Sequence, residues 1–420
     1  MEKTNVIIGG GIAGLSVAYE LTKKGESALI VEKEGCLGGL LSSVKRNDYH
    51  IERYYHHIFE NFDNTIRLLK ELKLDHRLVT KPASTGFYDE RLYRLSSPLD
   101  VLFFSPLNFV DKLGLARIVL KIKGADPSKF DNVPVKEWIV KNSSEKIFEK
   151  FFRPLLLSKY ADNSNISASW FIERMKLRNK RSMGGEKLIY LRGGFELMIK
   201  ELEKRILDNG GEISLSSQID TVETDRKRIK NMRVSSEKIK VDNLISTINP
   251  DSLEKLVKGF KAPKLKYQGA ACVLMAMKKK VHPYYWTNLI KPQLKFGAII
   301  EHTNFMPLED YNGEHLVYLA SYPKEDSLIW KQTEKDVFES YFSDLKKIFP
   351  VNKQDVLKYW VFRNKESGLV FERGTAKKIL PCRTRFENLF IGGMFNSYPE
   401  RSSDESIRLG KECAKLALGG

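Results

Sequence analysis

The chain has 420 residues, of which 42% are hydrophobic and 29% charged; that is enough for two packed domains and too apolar for a disordered chain. Its 70 lysines and arginines against 53 acidic residues give a formal net charge of +17, which points to an anionic substrate, an anionic membrane surface or a nucleic acid. The basic residues are dispersed and not interleaved with aromatics, which excludes nucleic acid, and no run of about eighteen apolar residues offers a transmembrane helix.

No basic leader or cleavage site precedes the first strand, so no signal peptide is expected. That strand is the apolar run "NVII", of the kind buried in a parallel sheet. Gly9, Gly11 and Gly14 follow at the spacing GxGxxG. Helical spacing of Leu15, Ala18, Tyr19 and Leu21 comes next, with a stop at Gly25. "SALIVEKE" is a second strand ending at Glu32. Gly9 allows a tight turn, Gly11 lets the backbone approach a pyrophosphate, and Gly14 lets the helix lie close to the strand. The helix start at Ile12 and Ala13 offers free N–H groups to phosphates. Glu32, followed by Lys33, can accept hydrogen bonds from ribose hydroxyls and disfavours a 2′-phosphate. The ligand is therefore a dinucleotide, NAD or FAD. A second glycine pair, Gly38 and Gly39, then Leu40, suits a backbone passing the same pyrophosphate or a ribityl chain.

This double glycine pattern resembles the glutathione-reductase-type FAD flavoproteins, in the branch of amine oxidases, protoporphyrinogen oxidases and phytoene desaturases. The resemblance implies an α/β fold: a Rossmann-like FAD-binding domain with an inserted α+β substrate domain. It also accounts for "YLRGGFELMIKELEKRILDNGGEISLSSQIDTVETD" at 190 to 225. That stretch reads as a Gly-Gly entry, an amphipathic helix, a turn and a strand, with Ile219 implied beside the adenine. "RIKNMRVSSEKIKVDNLISTINP" reads as two short strands and a buried one. The segment "ENLFIGGMFNSYPERSSDESIRLGKECAKLAL" at 387 to 418 resembles the C-terminal flavin segment of that branch. There the resemblance implies contacts from Gly393, Met394 and the helix start at Ser402. Met394 stands where the family often has an aspartate.

The FAD-binding pieces, 1–59, 189–265 and 366–420, leave 60–188 and 266–365 for the substrate domain. The first insertion reads as mainly helical, in "NTIRLLKELKL" and "PLNFVDKLGLARIVLKIKG". The apolar stripe of the second helix reads as core, with peripheral contact at the inner face of a membrane as the alternative. The second insertion reads as strand-rich. Four scattered cysteines, Cys36, Cys272, Cys382 and Cys413, form no CxxC pair. No metal site is expected, and a reducing, cytoplasmic compartment is.

In "HIERYYHHIFENFD" the adjacent His56 and His57 point to opposite faces of an extended chain, so a two-histidine metal site is not expected. One of them, His57, can face the flavin as acid, base or hydrogen-bond partner. "YYHHIFENFD", "FGAIIEHTNF", "SYPKEDSLIW" and "ISASWFIERMKLR" resemble stretches of UDP-galactopyranose mutase. By that resemblance Arg178 meets a diphosphate, flanked by Tyr322 and Tyr398. The mutase has a second arginine where this chain has Ala298. The expected function is oxidation of a small, anionic or lipid-linked substrate by hydride transfer to flavin N5. A mutase-like reaction on a nucleotide sugar without net redox is the alternative.

Overall fold

A computed structural model describes residues 4–160, 165–178, 186–291 and 293–420. Five strands form a parallel sheet in the spatial order Glu212–Ser214, Ala28–Val31, Thr4–Ile8, Glu237–Ser246, Leu389–Ile391. Thr4–Ile8 and Ala28–Val31 are buried along almost their whole length, which is why their sequences are continuous apolar runs. Ile7, Ile30, Ile245 and Phe390 point to one core, shared with residues of the helices Ile12–Thr22, Glu196–Asp208 and Ser403–Ala417. Val6, Ile8, Leu29, Val31, Leu244 and Ile391 point to the other, with Ile229, Met232 and Val234. The alternation is the strand period of two. The first half of Glu237–Ser246 also closes an antiparallel meander with Arg228–Val234 and Ile219–Asp225. The sequence reading divides residues 228–250 into three strands; the chain uses two, the second running unbroken for ten residues.

The second large sheet has seven strands, in the order Val356–Leu369, Tyr267–Met277, His315–Ser321, Ala298–Glu301, Trp286–Leu289, Thr85–Asp89, Arg91–Arg94. Neighbours are antiparallel except Trp286–Leu289 with Thr85–Asp89, which run parallel. Its two faces differ. Cys272, Leu274, Ala276, Ile300, Tyr318 and Ala320 join the core of the dinucleotide half. Val273, Met275, Ile299, Val317 and Leu319 pack under the helix Glu334–Lys346. One sheet face thus looks onto the parallel sheet's helices, and a site between the halves has a rigid floor.

The first insertion is mainly helical, as its pattern predicts. Between the helix Asp63–Glu71 and its later helices it also supplies the strands Leu78–Pro82, Thr85–Asp89 and Arg91–Arg94, which its pattern does not announce. Two of these strands complete a sheet whose other members come from the second insertion. The expected borders at 188 and 365 fall inside the strands Lys187–Leu191 and Val356–Leu369. The helices Phe109–Gly124, Val135–Asn142 and Ala168–Arg178 gather a separate aromatic core around Phe87, Phe104, Trp138, Phe152 and Phe171. No helix among the described residues is long and apolar enough to cross a membrane.

Candidate functional site

The cradle begins at Gly9, whose φ of +103° is open only to glycine at low cost. A Cβ on Gly14 would lie 1.9 Å from the Gly9 carbonyl oxygen, so the first helix touches the loop backbone directly. A Cβ on Gly11 would meet nothing within 4 Å. Gly11 is also the N-cap of Ile12–Thr22 and makes no side-chain cap hydrogen bond. The helix therefore aims its first N–H groups, those of Ile12, Ala13 and Gly14, across open space. Glu32 ends the second strand and binds the loop: its Oε2 accepts from the Gly10 N–H at 2.6 Å and its Oε1 from the Glu34 N–H at 2.8 Å. Lys33 points away and is exposed, 3.8 Å from Glu34.

The other glycines converge here. The Gly38 N–H donates to the Gly10 carbonyl at 2.8 Å, and a Cβ on Gly39 would lie 3.2 Å from the Gly11 Cα. Leu40 follows in the 3-10 turn Gly39–Leu41. Gly393, with φ +151°, brings its Cα side against Ala13 and Thr247. Met394 opens a 3-10 turn beside it. Ser402 caps the C-terminal helix by accepting the Glu405 N–H at 3.1 Å, and Gly410 of that helix rests on the Ala13 carbonyl. Ile219 stands two residues beyond Ser217, whose N–H donates to the Glu32 carbonyl at 2.9 Å. Glu32, Gly10, Gly38, Gly39, Gly11, Ala13 and Gly393 thus lie along one strip, while Lys33 points away from it. A space at Gly11 that a Cβ would fill, in front of the first helix's N-terminus, fits the diphosphate of FAD.

The substrate side is assembled from five segments. Tyr55 and Tyr322 share a hydrogen bond between hydroxyls at 2.6 Å, and Tyr55 stands edge-on to Trp286 at 4.8 Å. His57 Nδ1 lies 3.2 Å from the Tyr285 hydroxyl. His56 turns the other way and donates from Nδ1 to the Tyr54 carbonyl at 2.8 Å. Burial brings His56 down to about 4. Burial, then the charges of Arg178 and Arg174, hold His57 well below the ordinary imidazole value. At neutral pH His57 is therefore an uncharged imidazole, not a cation. Glu52, just before this loop, is buried and accepts the Phe195 N–H at 2.7 Å and the Tyr190 hydroxyl at 2.8 Å. Burial raises it to about 7.

Around Tyr322 the chain concentrates positive charge. Arg174 and Arg178 lie one turn apart on Ala168–Arg178, an i, i+4 pair sharing a helix face. Arg174 reaches Glu400 at 3.5 Å and lies 5.7 Å above the Phe59 ring. Arg178 lines a recess with Phe59, Asn61 and Glu186. Lys159 stacks 4.7 Å from Trp170. Arg401 donates to the Gln268 Oε1 at 3.2 Å and to the Ser367 carbonyl. Burial first, then Arg174, Arg401 and Arg178, hold the Lys159 ammonium well below its usual value, and Glu400 opposes them. Tyr398 donates to Asp131 and so faces away from the Tyr55–Tyr322 pair. The sequence reading names Arg178 and Tyr322 but passes over Arg174, Lys159 and Arg401. The i, i+4 spacing in "ERMKLR" is the signal that reveals Arg174. Lys159 and Arg401 carry no local mark. Ala298 leaves one guanidinium fewer than the mutase pattern, yet three other cations stand in the same neighbourhood.

One pH effect follows. As pH rises through the depressed Lys159 value, the cluster loses a positive charge and an anionic substrate binds more weakly. KM for such a substrate is expected to climb as pH rises through that value, with kcat little changed. In Lys159→Met that limb should vanish. A KM profile identical in the two proteins would remove Lys159 from the site.

The family model for flavin containing amine oxidoreductases matches residues 12–418. The zeta-carotene desaturase of Solanum lycopersicum is 28% identical over 243 residues, 50% of this chain and 40% of that protein. The match thus spans well under half the length of that curated relative. Two solved structures share the fold across the whole chain. A candidate protoporphyrinogen oxidase of Exiguobacterium sp. 255-15 superposes with a TM-score of 0.80 at 16% identity, covering 100% of each chain. A reduced UDP-galactopyranose mutase does so with a TM-score of 0.77 at 17% identity, covering 100% of this chain and 96% of that one.

Proposed function

The chain belongs to the flavin-containing amine oxidoreductase family, whose cofactor is FAD, and we propose that it oxidises a small anionic or lipid-linked substrate. The observation that carries this reading is the segment from Gly393 to Ser402. It leaves the cradle at Gly393, carries Glu400 and Arg401 into the cationic cluster, and returns as the cap of the C-terminal helix. Cofactor cradle and anion site are thus parts of one loop. Gly9, Gly11, Gly14, Glu32, Gly38, Gly39 and Gly393 would hold FAD, which would supply a two-electron, hydride-accepting flavin for oxidation of a substrate carbon.

The chain's own residues do the rest. Arg174, Arg178 and Arg401 fix the anionic group and orient the substrate. Trp286 and Tyr55 wall the chamber and exclude water. His57, uncharged and hydrogen-bonded to Tyr285, offers a neutral ring nitrogen as a hydrogen-bond partner to a substrate heteroatom. The Tyr55–Tyr322 pair holds a donor beside the bound anion. The reading places the protein in the cytoplasm, beside the inner face of a membrane that would supply a lipid-linked substrate.

A mutase-like reaction on a nucleotide sugar is the second reading. The concentration of cations beyond what one carboxylate requires favours it, and so does the likeness in fold. Anaerobic mixing separates the two. Stoichiometric flavin bleaching by an anionic substrate supports oxidation. Turnover that needs prior reduction and consumes no reductant supports the mutase. A flavin inert to both treatments sinks both.

A further inference from the structure

The helix Phe109–Gly124 has two apolar faces. Leu115, Ile118 and Ile122 lie on one and are buried. Phe109, Leu113 and Leu120 lie on the opposite one, with relative exposures of 70%, 55% and 68%. At 100° per residue these three fall within one narrow ridge. Val110 flanks it at 72%. The short helix before it, Pro98–Leu102, and the following turn extend the ridge through Leu99, Leu102 and Phe103, the last 84% exposed. A group of exposed apolar side chains of this size marks an interaction site.

Its rim is basic. Arg117 and Lys121 fall along one side of the ridge and Lys112 and Lys123 along the other. Arg94 stands at the far end. Residues 95–125 contain two acids, Asp100 and Asp111. Each is spent at a helix start, in a capping box with Ser97 and with Asn108. Asp100 also lies 3.5 Å from Arg94, and the buried Asp111 2.9 Å from Lys146. The ridge itself therefore carries no negative charge. A second copy would bring its own cations against these. An anionic bilayer supplies both complements at once, acyl chains for the ridge and phosphates for the rim.

We propose that the ridge from Leu99 to Leu120 docks the protein on a membrane rich in anionic phospholipid. The inference deepens the placement beside a membrane given under Proposed function and rests on it, but not on the flavin chemistry. The test is co-sedimentation of the flavin-loaded protein with phosphatidylcholine vesicles containing about 30% phosphatidylglycerol. Binding is expected, weakened by salt, and weaker on pure phosphatidylcholine. The double variant Phe109→Ser/Leu113→Ser should lose at least about tenfold in partition coefficient. Arg117→Glu/Lys121→Glu should lose the preference for anionic lipid. Both pairs are exposed, so flavin content and melting temperature should match the parent. Those two readouts separate a failed fold or cradle from failed docking. No binding by the parent, equal binding by the serine variant, or a dimer of the parent that this variant dissociates would overturn the proposal.

Discussion

The Gly11→Ala protein is expected to fold normally and emerge colourless. Gly11 has φ −72° and ψ 177°, a conformation any residue adopts. An added methyl meets no protein atom within 4 Å. The chain alone therefore has no reason to resist the change. The methyl would stand where a diphosphate must come against the loop and the first N–H groups of the helix. The FAD dissociation constant should rise about a hundredfold, close to ~2.7 kcal/mol, while the melting temperature of the flavin-free protein stays within about 2 °C of the parent. Gly14→Ala is the control with the opposite signature. Its methyl would strike the Gly9 carbonyl oxygen at 1.9 Å, and backbone cannot swing aside. A loss of about 3 kcal/mol in folding stability is expected there, with flavin lost as a consequence. Flavin absorbance per protein, FAD titration and thermal melts check both. A yellow Gly11→Ala protein with unchanged FAD affinity would sink the assignment of this loop.

Arg174→Met should cost an anionic substrate about a hundredfold in kcat/KM, or ~2.7 kcal/mol, mostly through KM. Methionine keeps an unbranched stem on the Phe59 ring and removes only the charge. The side chain is largely enclosed, and its partner Glu400 more so, so solvent screens the lost interaction less than at a surface. Arg174→Lys should recover part of the loss, since an ammonium restores charge without the planar fork. Arg178→Met should cost about tenfold, because Arg178 sits in the recess by Glu186, one turn further along. The flavin spectrum should not change in any of them. A larger effect at Arg178 would restore it as the principal anchor. Equal losses on a neutral substrate would mean that neither arginine reads charge.

The cradle is legible in the sequence because backbone geometry writes itself locally. Gly9, Gly14 and Gly393 are each forced by a positive φ or a close approach, and their neighbours supply strand and helix signals within a few residues. The substrate side is not written that way. Tyr55, Lys159, Arg174, Tyr322 and Arg401 come from separate segments, and only the fold makes them neighbours. A resemblance brings Arg178 forward, while helical periodicity alone treats Arg174 and Arg178 alike. Tyr398 follows from the same resemblance, yet its hydroxyl is committed to Asp131. The helix Phe109–Gly124 shows a further limit. Apolar residues on opposite faces look the same in sequence whether protein or water lies beside them, so its inner stripe is read correctly and its outer ridge is not. The strands Thr85–Asp89 and Arg91–Arg94 are short, and the partner that joins their hairpin to the sheet lies some two hundred positions away.

That pairing has a cost in time. Thr85–Asp89 finds its parallel neighbour only after Leu289 has left the ribosome, and a ladder between such distant stretches closes late. Until then the nascent chain holds an incomplete sheet edge. Translation of this protein therefore exposes an unpaired sheet edge for about half its duration. Its yield in a cell should depend on chaperones, and on the pace of synthesis between those two strands, more than its final stability would suggest.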